Sequence, residues 1–243
     1  PLRLWVMIGQ PGAADYPKLA QFPQTGLGNG YLTVRAVKAY LDGALGSYGA
    51  WLLEPYADKP GHFGQNTTPV DTIASLARVC RKYGLQLCVH AIGDRGNREV
   101  LDIFSPPQGG GGGNQLRWRI EHAHHLHPED IPRCAHIANG TDAPVEDVDP
   151  LPCLYASVTR KRADTGLEFF PEQKMTREEA LLSYTLWNAY AAFEETKKGA
   201  LKPGKYADIV VLSKDLLKCP DEEILQAKVL RTIVGGQIRY ERY

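Results

Sequence analysis

The sequence predicts an α/β fold of parallel βα units followed by a small β appendage. Three observations carry this expectation. Strand-like and helix-like stretches alternate through the first half of the chain, successive strand candidates end in a chemically active side chain, and the C-terminal third switches to short strands and a hairpin.

The strand candidates are LRLWVMI (2–8), TVRAVKAYL (33–41), LQLCVHAI (85–92), LRWRIEHA (116–123) and the shorter ANGTDAP (138–144). Between the second and third, Val70, Ile73, Ala74, Ala77 and Cys80 recur at helical spacing, with Thr68 as the expected cap and Gly84 as the stop. GNREVLDIF reads as a helix after the third strand, and PEDIPRCAHI as the start of one after the fourth. Two stretches interrupt the alternation. Residues 105–115 hold five consecutive glycines and are expected to form a flexible loop; without a terminal Lys-Ser/Thr they are not a phosphate loop. Residues 45–65 form a long loop rich in Gly, Pro and aromatics, the kind that is more often functional than idle. MTREEALLSYTLWNAYAAF is expected to be one helix with a capping box from Thr176 to Glu179, and Gly235 and Gly236 supply a hairpin turn near the end. The barrel part is therefore assigned to 1–198 and the β appendage to 199–243.

Composition narrows the function classes. Lys+Arg and Asp+Glu both total 28, so no global field favours nucleic acid or an anionic membrane. No apolar run approaches the roughly 20 residues of a membrane span. Cys80, Cys88, Cys134, Cys153 and Cys219 form no CxxC pair and are odd in number, which points to reduced thiols and a cytoplasmic protein.

The strand ends carry the chemistry. Lys38 lies within the second strand, His90 and His122 end the third and fourth, and Asp142 follows the fifth. In a (β/α)8 barrel, catalytic groups come from the C-terminal ends of several different strands, and imidazoles and carboxylates are the usual ligands of hydrolytic metal sites. Each residue also has a plain reading: core histidines, a lysine reaching for the rim, an aspartate capping a turn. Their recurrence at matching positions favours a shared site.

At this point the chain resembles a known family. VKAYLDGALGS, VHAIGDRGNREVLD, RIEHAHHLHPEDIPR, GTDAPVEDVDP and KGALKPGKYADIVVLSKD, in that order, are similar to the amidohydrolase superfamily, and within it to amidohydrolase family 3, which includes N-substituted formamide deformylases. The resemblance implies a partial TIM (β/α)8 barrel of the metal-dependent hydrolase type, a composite β-sandwich, and one or two divalent metals, usually zinc. By position, Lys38 matches a bridging lysine that is often carbamylated, and His90 and His122 match metal-binding histidines. Asp142 matches an aspartate that is both metal ligand and proton shuttle. The implied reaction is hydrolysis of a non-peptide C–N bond in a small-molecule amide, N-substituted formamide or cyclic amide by metal-bound hydroxide. Asp42 and Asp94, a few residues past ligands, are read as outer partners or substrate contacts, with plain turn residues as the alternative. Tyr48, Trp51 and Phe63 are read as an apolar substrate wall. Glu121 is expected to face away from the interior because strand neighbours alternate. His124, His125 and His127 are read as loop residues.

The chain also departs from the family pattern. No His-x-His pair precedes Lys38, so two ligands of the more buried metal are missing and the chain reads as beginning near barrel strand three. Only twenty residues separate His122 from Asp142, enough for about one helix where two βα units belong, so strand seven is expected to be missing near Ile137 and Ala138. A catalytically inactive scaffold or binding module is therefore the alternative function. A Schiff-base lysine at Lys38 is a weaker one, because it leaves the histidines unexplained.

Overall fold

The computed structural model describes residues 2–105, 115–134 and 136–243. The expected flexible loop at 105–115 lies, apart from its two ends, outside the described residues. The chain divides into two compact units, Pro1–Ala135 and His136–Tyr243.

The first unit is built on a parallel sheet in the order β1 (Leu4–Ile8), β3 (Leu32–Tyr40), β4 (Gln86–Ala91), β5 (Arg119–His122), with the short β2 (Gln24–Gly26) antiparallel to β3. A four-residue turn, α1 (Leu27–Gly30), joins β2 to β3. Alternation along β3 and β4 sends Val37, Ala39, Leu41, Leu87, Val89 and Ala91 to one face, all fully buried. There they meet Ile73, Leu76, Ala77 and Cys80 from α2 (Val70–Tyr83) and Val100 from α3 (Asp94–Phe104). The first four expected strands and both helices are thus present; β1, β4 and β5 are shorter than expected, and β3 is shifted by one residue towards the N-terminus.

Helix α2 stops where the sequence indicates. Gly84 adopts φ +69°, its N–H donates to the Arg81 carbonyl, and the Leu85 N–H reaches back to the Cys80 carbonyl at 2.9 Å. Its start differs from expectation: Pro69 occupies the cap position with no side-chain hydrogen bond, and the Thr68 hydroxyl accepts from Gln10 instead. A second correction concerns PEDIPRCAHI, which among its described residues forms only a 3-10 turn, Ile131–Arg133. Pro132 has no N–H to continue a helix, and Cys134 is already extended.

That turn is fastened by Asp130, a buried carboxylate that accepts from Arg98 Nε at 2.8 Å and Arg133 Nη1 at 3.0 Å. Burial alone would raise its pKa; the hydrogen bonds and charges of the two guanidinium groups outweigh burial and hold the carboxyl below the usual carboxylate range. The depressed folded value means that this stabilisation is complete above the unfolded pKa and is lost as pH falls through the folded one. Asp130→Asn is expected to cost about 2 kcal/mol at neutral pH. The difference from the parent should shrink below about pH 4, where the carboxylate of the unfolded chain begins to protonate. Urea melts at pH 7 and pH 3 measure both; a cost that does not change with pH would remove the ion pairs from the account.

All five cysteines are free. The Cys80 thiol, fully buried, is pushed up to about 12 by that burial, whereas Cys134 is exposed. Iodoacetamide should therefore label Cys134 of the native chain long before Cys80, as peptide mapping would show. Equal labelling would contradict the packing of α2 on the sheet.

The second unit joins helices to a three-stranded antiparallel sheet, β6 (Ile209–Leu212), β7 (Val229–Val234) and β8 (Gln237–Glu241). Gly235 and Gly236 turn the β7–β8 hairpin with φ of +61° and +77°, the left-handed pair a two-residue hairpin needs. The unit's core pairs Leu151, Leu154, Tyr155 and Val158 of α4 (Leu151–Thr159) and Ala180 of α5 (Arg177–Tyr184) with Ile224 of α7 (Asp221–Ile224) and the following Ala227. Residues on both sides of 198/199 therefore share one core. The capping box is formed: Thr176 N–H donates to Glu179 Oε2 at 2.8 Å, and Glu179 N–H to Thr176 Oγ1 at 3.2 Å. The single helix expected after it is broken at Thr185 (φ −126°, ψ −88°) into α5 and α6 (Leu186–Ala191). Thr185 donates its hydroxyl to the Leu181 carbonyl at 2.7 Å, the side-chain competition that weakens helices at threonine.

The expected strand at 138–144 is not one. Asn139 anchors this segment to helices: its N–H donates to the Ser183 carbonyl, its amide to Ser183 Oγ at 2.9 Å and Ser157 Oγ at 3.2 Å, and its own carbonyl accepts from Asn188. With its backbone groups committed to helices, it pairs with no strand. Among the described residues, no helix is long and apolar enough to cross a membrane.

Candidate active site

The face of the parallel sheet opposite the helices is polar. Register places Lys38, Cys88 and Arg119 in one row across β3, β4 and β5, and Tyr40, His90 and Glu121 in the next row towards the strand ends. Arg119 donates to Glu121 Oε1 at 2.9 Å and lies 4.8 Å over the Trp5 ring of β1. Its strand and β1 are the two edges of the four-strand path, about 14 Å apart in a flat sheet. For their side chains to meet, the sheet must curl over this face, as barrel walls do.

Glu121 is therefore on the same face as Lys38 and His90, which corrects the expectation that it points away. Simple alternation would instead send His122, the partner of Ala91, to the helix side. The backbone prevents that: His122 and Ala123 have φ of +76° and +45°, and the chain leaves strand geometry there. The His122 ring consequently stands edge-on to His90 with centroids 4.4 Å apart, and His124 follows at 5.6 Å from His122.

His90 is the best-defined group of this cluster. Its Nε2 is buried and has no hydrogen-bond partner, an unusual state for a polar atom. Its ring lies 5.5 Å from that of Tyr40, whose ring in turn sits 5.2 Å from Lys38 Nζ. Burial above all, then the neighbouring His122 and Lys38, pushes the imidazole from the ordinary 6.5 down to about 4, although Asp42 opposes the shift. At neutral pH the ring is uncharged, the state in which imidazole binds a metal.

Asp42 is fully enclosed, with Oδ1 3.7 Å from His90 Nε2. Its carboxylate accepts the N–H groups of Ile92, Gly93 and Trp51, each at 2.9 Å. Asp94 begins α3 and accepts the Leu53 N–H at 2.8 Å. Both aspartates thus fasten the 45–65 loop. Within it, Ala50 and Tyr56 pack on Ile92, with Leu45, Tyr48 and Leu52 around them. The three aromatics expected to form one wall occupy different surroundings. Tyr48 donates to Asp58 and sits edge-on to Tyr56, Trp51 lies 4.4 Å beneath Arg95, and Phe63 is 41% exposed.

Asp142 belongs to the second unit, on an exposed turn with φ +56°. Among the described residues, no group of three His, Cys, Asp or Glu side chains is placed to hold a metal ion. The donor set in the first unit is the His90–His122 pair, with Lys38 on the same sheet face. The unpartnered, neutral His90 Nε2 fits a metal ligand.

Comparison with known proteins agrees with this fold. A model of the amidohydrolase family, family 3, matches residues 1–138 and 135–240. The chain belongs to the amidohydrolase family. It is 30% identical over 254 residues to the Arabidopsis thaliana "Protein LONG AFTER FAR-RED 3", covering 86% of this chain and 43% of that protein. It is 30% identical over 129 residues to the N-substituted formamide deformylase of Arthrobacter pascens, covering 51% and 24%. The chain thus spans less than half the length of either relative. The crystal structure of an uncharacterized metal-dependent hydrolase from Pyrococcus furiosus shares the fold with a TM-score of 0.72 at 24% identity, covering 89% of this chain and 51% of that one. The fold is therefore that of the metal-dependent hydrolases, a TIM-barrel type of which the first unit forms part of the wall.

Proposed function

We propose that this chain carries part of the active site of a hydrolase that cleaves a non-peptide C–N bond in a small amide, N-substituted formamide or cyclic amide, with one divalent metal ion, zinc, as cofactor. The observation that carries the reading is His90 Nε2: buried, neutral, unpartnered and beside His122 at the ends of adjacent parallel strands. The similarity to a protein named N-substituted formamide deformylase supports the substrate class. In this reading His90 and His122 hold the ion, and Lys38, as a carbamate, completes the set at three protein ligands with one position open. The ion supplies a Lewis acid that polarises a carbonyl and acidifies water there.

The remaining work falls to side chains. The resemblance makes Asp142, on its GTDAP motif alone, the carboxylate that would carry the proton. Arg119 and Glu121 neutralise each other on the Lys38 face, so Lys38 can change charge without leaving a neighbour unpaired. Tyr40, Trp51 and the 45–65 loop border the strand ends and are the surfaces a substrate side chain would meet.

Zinc titration of the 243-residue chain should give at most one tight equivalent, because the buried position lacks its histidine pair. Two equivalents would require a ligand set this sequence does not show. No binding at all would favour the inactive scaffold.

A further inference from the structure

We propose that Asp42 is a positioning residue, a buried clamp that sets the His90 imidazole and the 45–65 loop in one geometry, rather than a group that touches substrate. The inference rests on reading His90 as a metal ligand, and it names what holds that ligand in place. A carboxylate offers about four lone-pair directions. In Asp42 three are taken by backbone N–H groups: Ile92 on Oδ1, and Gly93 and Trp51 on Oδ2, each at 2.9 Å. Ile92 and Gly93 are the turn immediately after His90 and Ala91, and Trp51 is in the loop. The approach left over faces His90 Nε2, 3.7 Å from Oδ1. Little of the carboxylate remains for a substrate, and its side chain is 0% exposed.

The surroundings are shaped to this carboxylate. Gly96, in the first turn of α3, leaves the space it fills: a Cβ there would fall 2.8 Å from Asp42 Oδ2. The Gly96 N–H donates to the Trp51 carbonyl at 3.1 Å, so helix, loop and strand end close around one anion. Moving the carboxylate therefore moves the turn that carries His90 and the loop together. Asp42 makes no hydrogen bond to the ring and acts through this turn; removing an outer partner that positions a metal ligand typically changes metal affinity by about 10–100-fold.

The test compares Asp42→Asn and Gly96→Ala with the parent chain, reading zinc affinity by chelator competition and hydrogen exchange at the Trp51, Ile92 and Gly93 amides. In Asp42→Asn an NH2 group replaces one acceptor oxygen and meets the N–H donors. Zinc affinity should fall about tenfold or more, and the three amides should exchange faster even without zinc. Gly96→Ala, which displaces the carboxylate without changing its chemistry, should move both readouts the same way; it also serves if Asp42→Asn does not fold. Asp130→Asn controls for general destabilisation and should leave zinc affinity unchanged. Zinc affinity within twofold of the parent in a folded Asp42→Asn chain overturns the proposal, as does an equal loss in Asp130→Asn. If the parent takes up no zinc, the metal reading fails separately. The clamp is then judged by the three amides and the His90 ring nitrogen shifts, and their constancy in Asp42→Asn overturns it.

Discussion

His90→Ala should abolish zinc binding by the chain while leaving its first unit folded. The two halves of this expectation have different causes. Two ligands, Lys38 and His122, would remain of three, below what a tetrahedral site needs. The affinity loss should exceed the roughly 10–100-fold that removing an outer partner brings. Stability should change modestly: His90 Nε2 makes no hydrogen bond in the fold, and the hydrogen bond lost with the ring is the one to the Gly43 backbone. Deleting a buried polar atom without a partner removes an unfavourable group, and this offsets much of the cavity left by the ring. The net change should stay within about 1 kcal/mol. Calorimetric titration with zinc and a thermal melt read the two halves independently. Tight zinc binding by His90→Ala would move the metal elsewhere, and a large drop in melting temperature would make His90 a core residue first.

Much of this site was legible because parallel strands repeat one arrangement. His90 and Lys38 obey the period of two and could be assigned to a face from sequence alone. His122 could not: its position depends on a left-handed backbone at the strand end, which no pattern of apolar residues encodes. The same departure hid Glu121. The signal that exposes it is the Arg119-x-Glu121 pair, which shares strand parity with His90 once the register is known. The Asp142 segment misled for another reason. ANGTDAP has strand-like length, but Asn139 has partners in three helices that are distant in sequence. Thr185 and Pro132 show the same limit on a smaller scale, where one side chain's competing bond or missing N–H ended a helix. Periodicity places elements; individual hydrogen bonds decide where they stop.

Gly93 extends this argument to stability, and its replacement should be among the most damaging single changes in the first unit. A glycine after a strand-end histidine reads as an ordinary turn residue. Yet its backbone (φ −72°, ψ 152°) is extended, and any residue adopts it, so conformational freedom is not why glycine is required. The requirement is space. A Cβ at Gly93 would lie 2.0 Å from the Trp51 carbonyl oxygen and 2.4 Å from its carbon, far inside van der Waals contact. The Trp51 backbone cannot retreat, because its N–H is held by Asp42 and its carbonyl accepts from Gly96. Gly93→Ala should therefore cost about 3 kcal/mol or more, the upper range for overpacking, and lower the melting temperature of the first unit by roughly 10 °C. Gly84→Ala separates this cause from backbone strain. Gly84 has φ +69° but no atom within 4 Å of its would-be Cβ, so its replacement carries only the left-handed penalty of about 1–2 kcal/mol. Gly93→Ala should also weaken zinc binding, because the turn it disrupts carries His90, whereas Gly84→Ala should not. Equal losses in the two variants, in stability and in zinc affinity, would mean that the loop yields and that the close approach of Gly93 to Trp51 does not hold the site together.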